Sequence, residues 1–239
     1  MDDERNPALV TKGNDMSNLL TSLRCAARKG DTLTIQLLLA ESDAYGMALL
    51  HDAAAKGTPA TVQALIKAGA DVNECNIGHD TPLHDAVRWG KAKTVAALVK
   101  AGADIEARGS ADRTPLHMAV EHGMVENVRA LIKAGADIEA RDLNDNRPLD
   151  LAAGGGTAET VKALIKAGAD IGAREKGGLT PLHRAARLGT AETVQALIDA
   201  GADIGARAGD GKLAADLAKH NKAVRNHPVF RTLNKARSD

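Results

Sequence analysis

The chain is written in short amphipathic stretches that recur. In "TPLHDAVRWG", residues 81–90, Leu83, Ala86 and Val87 stand at i, i+3 and i+4, one apolar stripe on an otherwise polar helix. Thr81 is placed to N-cap that helix and Pro82 presets φ at its first position, while Gly90 is expected to end it in the left-handed conformation. A second stripe follows in Val95, Leu98 and Val99. Lys100 suits the negative end of that helix, Gly102 closes it, and Asp104 opens a turn. Each helix pair is too small to bury its own stripes and must stack on another pair.

The phrase returns as "TPLHMAVEHG" from Thr114 and "TPLHRAARLG" from Thr180, on a lattice of 33 residues. The node between them carries Arg147 in "RPLDLAAGGG", and the node before Thr81 opens "ALLHDAAAKG". The second helix keeps the same step, as "ALIKAGAD" and its variants end at Gly69, Gly102, Gly135, Gly168 and Gly201. A period of 33 with T-P-L-H-x-A resembles the ankyrin-repeat family over most of the chain. The resemblance implies an all-α solenoid of stacked helix–turn–helix units joined by β-hairpin-like loops. Residues 1–16 are expected to form a disordered tail and 17–239 a single domain. That domain divides into an N-terminal cap (17–42), repeats at 43–75, 76–108, 109–141, 142–174 and 175–207, and a C-terminal cap (208–239). Both ends depart from the pattern. The first unit lacks Thr-Pro, and the last has Leu213-Ala214 there, a basic end, and Phe230 with Leu233 to close the core.

Charge narrows the partner class. Lys+Arg and Asp+Glu number 31 each, so no net positive charge draws the chain to nucleic acid or an anionic membrane. With one Trp, one Tyr and one Phe there is no aromatic platform for single-stranded nucleic acid, and the core must come from Ala, Leu, Ile and Val. No apolar run is long enough to span a membrane, and the polar start, "MDDERNPALVTKGND", is unlike a signal peptide. Two unspaced cysteines, Cys25 and Cys75, point to a reducing compartment. A cytoplasmic, monomeric protein is expected, with export by a route lacking a cleavable signal left open.

Candidate chemistry is sparse. His51, His84, His117 and His183 form a column, but stacked helices lie about 8–10 Å apart, too far for neighbouring imidazoles to share a zinc at about 2 Å from each. The family resemblance implies instead that each ring bonds the motif threonine and nearby backbone. Cys75, His79 and His84 lack a fourth ligand, and Cys25 reads as a small core residue. Gly154-Gly155-Gly156 reads as a frayed helix end rather than a phosphate loop. Arg108, Arg141, Arg174 and Arg207 suggest a ladder of surface ion pairs with Glu139, Asp142 and Glu175. No nucleophile–base pairing stands outside the repeat, so no catalytic residue, cofactor or metal is expected.

In the ankyrin family, recognition uses hairpin tips and the residues before the glycine that follows the first helix. Carried onto this chain, that implies a concave face bearing Lys56, Arg88, Trp89, Glu121, His122, Arg187 and Leu188 at helix ends. On hairpins it implies Tyr45, Met47, Ile77, Asp80, Arg113 and Leu143. Trp, Tyr and Arg are enriched at binding hot spots, and the sole Trp and sole Tyr both fall here. The expected function is a non-enzymatic scaffold for another protein. An inhibitor or antitoxin-like module would use the same surface, and a small-ligand binder would need a closed pocket.

Overall fold

The computed structural model describes residues 21–23, 25–27, 31–44 and 49–237. The expected tail, Tyr45 and Met47 lie outside these residues. Among the described residues the fold is helical, with one isolated bridge, between Arg207 and Leu213, in place of a sheet. The first helices of the units are Leu49–Lys56, Pro82–Trp89, Pro115–Glu121, Pro148–Gly155 and Pro181–Leu188. Each is followed by a second helix: Pro59–Lys67, Ala92–Lys100, Val125–Lys133, Ala158–Lys166 and Ala191–Asp199. First helices pack on first helices and second on second, so two layers run the length of the stack. Helix Thr32–Ala44 joins the second layer at one end, and Ala214–Ala218, Lys222–Arg225 and Val229–Asn234 close the other.

The predicted stripes face inward. Leu83, Ala86, Val87, Val95 and Leu98 are fully buried, and their counterparts repeat in each unit. The core is built mainly from Leu, Val and Ala, with Ile35 and Met118 among them, and the alanines let helices approach closely. Leu233 is buried and Phe230 packs half-buried against the last unit.

The two glycine columns do different work. Gly69, Gly102, Gly135, Gly168 and Gly201, after the second helices, all have positive φ, between 93° and 110°. The expected left-handed ending at Gly90 is not found: its φ is −86° and ψ −173°, and Gly156 and Gly189 match it, whereas Gly123 alone of this column is left-handed at +65°. Close approach is the reason for glycine at 90. A Cβ there would stand 2.6 Å from the Ala86 carbonyl oxygen and 2.7 Å from that of Ala54 in the preceding unit.

The unit that opens at Arg147 is built differently. Arg147 and Asp150, three residues apart on one helix start, do not form an ion pair. Arg147 Nε meets Glu139 at 2.9 Å, and Asp150 Oδ2 accepts the Arg147 backbone N–H at 2.9 Å. Asp150 is only 1% exposed, and its Oδ1 has no hydrogen-bond partner, nor has Arg147 Nη1. Gly154 and Gly155 are not a frayed end, because the helix runs through both. Cys25, expected inside, is exposed. It occupies the repeat position of Asp85, which reaches back to the preceding unit, and no described unit precedes Cys25. With an unsatisfied carboxylate and two helical glycines, residues 147–156 should exchange amide hydrogens faster than 114–123. Equal protection in hydrogen-exchange mass spectrometry would sink that expectation.

Candidate protein-binding face

The hairpins that carry half the candidate residues are fixed by the histidine column. Thr81 N–H donates to His84 Nδ1 at 3.1 Å, with Thr81 Oγ1 at 2.9 Å from the same nitrogen. An Nδ1 that accepts an amide proton is unprotonated, so Nε2 carries the hydrogen and donates to the Arg113 carbonyl at 3.0 Å. Thr114 with His117, and Thr180 with His183, repeat the arrangement, reaching the carbonyls of Asn146 and Lys212. Each ring thus ties its helix start to the hairpin of the next unit. Burial holds all three imidazoles below their ordinary pKa, so they are neutral staples.

His51 differs because the lattice node before it is Ala48, which offers no hydroxyl. Its Nδ1 meets Asp85 Oδ2 of the next unit at 2.6 Å and its Nε2 meets the Glu74 carbonyl at 2.9 Å. Burial pushes this ring toward neutrality, but the Asp85 and Glu74 bonds outweigh it and raise the pKa. The nitrogens of all four rings are engaged in these bonds. Among the described residues no group of His, Cys, Asp or Glu is arranged to hold a metal.

On the face formed by hairpins and first-helix ends, Trp89 is 65% exposed, with its ring centroid 6.1 Å from that of His122. Ile77, Leu143 and Leu188 are also exposed, and Lys56 lies at the surface with its ammonium 2.8 Å from Asp52. Glu121 and Arg187 are exposed too, and Arg187 has no ion-pair partner among the described residues. Arg88 is half-buried, 3.3 Å from Asp80 Oδ2, and Arg113 bonds Glu121 Oε2 at 2.6 Å. Asp80 does not belong to this surface. It is 4% exposed because its Oδ1 accepts the Ser110 N–H at 3.0 Å while Oδ2 faces Arg88.

The arginine column also departs from the expected ladder. Arg108 and Arg174 each donate through Nη1 to a carbonyl four residues on and to the carbonyl of the next arginine in the column. Arg207 binds the Gly211 carbonyl. Among the described residues, acidic partners are limited to Asp112 for Arg108 and Asp145 for Arg141. Glu139 and Glu175 turn instead to Arg147 and Arg184. The column therefore braces loops rather than offering open cations.

A family model described as ankyrin repeats (3 copies) matches residues 7–76, 23–109, 50–142 and 116–208. The chain belongs to the ankyrin-repeat family. A search of curated proteins finds no match. The ankyrin units of this chain carry two features that position-by-position reading missed. Leu33 and Leu37 are exposed on helix Thr32–Ala44, at one end of the ankyrin stack. Between the hairpins and helix ends of the third, fourth and fifth repeats lies a hollow of about 300 Å³, lined among others by Arg113, Leu151, Gly155, Arg184 and Leu188. The signal for it was Gly154-Gly155 standing where other units have side chains.

Proposed function

We propose that this chain is a non-catalytic binding module that holds a partner protein on the concave face of its ankyrin stack, with Trp89 as the anchor. The supporting observation is the exposed indole beside His122, on the face that also presents Ile77, Leu143 and Leu188. Ankyrin repeats generally mediate protein–protein interaction. The staples between units favour a preorganised surface, which lowers the ordering cost of association. Catalysis finds no support in the site: the stacked histidines spend both nitrogens on threonine, carbonyl or Asp85 bonds, leaving no base beside a nucleophile. Among the described residues no helix is long and apolar enough to cross a membrane. Two free, exposed thiols favour a reducing compartment, and the cytoplasm is the proposed address.

The test pairs two measurements on Trp89→Ala. A partner is isolated by pull-down with the intact chain, then titrated calorimetrically against both proteins. The variant should bind about 2 kcal/mol more weakly, the scale of a hot spot. Its melting temperature should stay within about a degree or two, because exposed substitutions change stability little. Unchanged affinity with a collapsed melting temperature would make Trp89 a structural cover and move the binding face elsewhere.

A further inference from the structure

Along the inner face, the residue pairs at the first-helix ends are Ala55-Lys56, Arg88-Trp89, Glu121-His122, Gly154-Gly155 and Arg187-Leu188. The glycine pair interrupts this wall of side chains, and the hollow opens at the interruption. The fold accounts for Gly154: a Cβ there would stand 3.1 Å from Arg184 Nε and 3.2 Å from its Cγ, so the arginine lies across it. It does not account for Gly155. That residue is helical, its φ is not positive, and a Cβ on it would meet nothing within 4 Å. Glycine is the poorest helix former after proline, so local stability works against it. What the missing side chain leaves is space.

The walls of that space are rich in donors. Arg113 uses Nη1 for Glu121, and its Nε faces Asp142 at 3.5 Å. Arg184 uses Nη1 for Asn146 Oδ1 and for Glu175. Neither Nη2 makes a hydrogen bond within the described residues. Of the carboxylates around the hollow, Glu121 lines it and is already engaged. Asp142 and Glu175 bind these guanidiniums with side chains 0% and 8% exposed, and Asp150, on the helix of Gly155, is 1% exposed, so all three are out of an occupant's reach. A planar guanidinium with spare N–H donors is matched by a carboxylate.

We propose that this hollow is a socket for an acidic side chain, Glu or Asp, of the partner protein. Its carboxylate binds the spare donors of Arg113 and Arg184, and its methylenes lie against Leu151 and Leu188. The proposal rests on the concave-face reading and adds to it the chemistry of one partner residue.

The test selects a random-peptide phage library against the intact chain and titrates the enriched peptides against that chain and against Gly155→Leu, Gly155→Ala and Trp89→Ala. Enriched peptides should share a Glu or Asp, and its replacement by Gln or Asn should weaken binding at least about tenfold. Gly155→Leu should weaken the same peptides by a similar factor while melting no lower than the original, since leucine is the better helix former. Gly155→Ala should fall between the two. Peptides without a shared acid, or acidic peptides that bind Gly155→Leu as tightly as the original, overturn the socket. So does a lower melting temperature for Gly155→Ala, which would give that glycine a role in the fold. Peptides weakened by Trp89→Ala but indifferent to Gly155→Leu overturn the socket and leave the concave-face reading standing, and indifference to both overturns both.

Discussion

Gly189→Ala is expected to destabilise the stack by about 3 kcal/mol, while Gly201→Ala costs only about 1 kcal/mol. Both glycines follow helices of the same repeat, and sequence pattern alone treats them alike. At Gly189 the added Cβ would overlap the Ala153 carbonyl oxygen of the preceding unit and stand 2.7 Å from Thr193 Oγ1 and 2.9 Å from the Ala185 oxygen. Two of these are backbone atoms that cannot swing away, so the units must part. At Gly201 a Cβ would touch nothing within 4 Å, and the penalty is only that of a left-handed φ of +93° on an L-residue. Denaturant titrations followed by circular dichroism, on the two variants and the parent, measure the difference. Equal losses at the two positions would mean that close approach between units does not set the requirement at Gly189.

The period, the stripes and the helix starts were legible because they depend on residues within one unit. Thr81, Pro82 and Leu83 announce a helix start wherever they occur, and Gly102 announces an end. What could not be read is what depends on a residue about 30 positions away. Asp80 looks like an exposed hairpin acid until Ser110 N–H and Arg88 are brought to it. Arg108 looks like half of an ion pair until the carbonyl of Arg141 arrives at its Nη1. Gly90 suggests a left-handed ending until the Ala54 carbonyl is placed beside it. In each case the sequence supplied the right group and the neighbouring unit decided which way it faces. The hollow beside Gly155 belongs to the same class, because a gap in a wall exists only once the wall is assembled.

The ionisation of Asp150 should make its repeat weaker at neutral pH than in mild acid. Burial pushes the carboxyl pKa up to about 6; the Arg147 N–H bond works against this, and nearby Glu175 adds to it. A carboxyl that binds its proton more tightly when folded stabilises the fold below its unfolded pKa and loses that contribution as pH rises through the folded value. From the ordinary 3.8 to about 6, the loss amounts to about 2–3 kcal/mol between pH 4 and pH 7. Asp150→Asn keeps an oxygen for the Arg147 N–H and removes the ionisation. The variant should therefore gain on the parent by about that amount as pH is raised from 4 to 7. The neutral histidines of the other repeats act in the opposite sense, losing stability as pH falls below their ordinary value of 6.5, but they are common to both proteins and cancel in the difference. Urea titrations of parent and variant across that range provide the measurement. Parallel stability curves would show that Asp150 carries no raised pKa and that the unpartnered Oδ1 reaches solvent. A converging pair at low pH would place the pH sensitivity in the repeat that bears Gly154 and Gly155, where neutral conditions leave a buried charge beside the hollow's own helix.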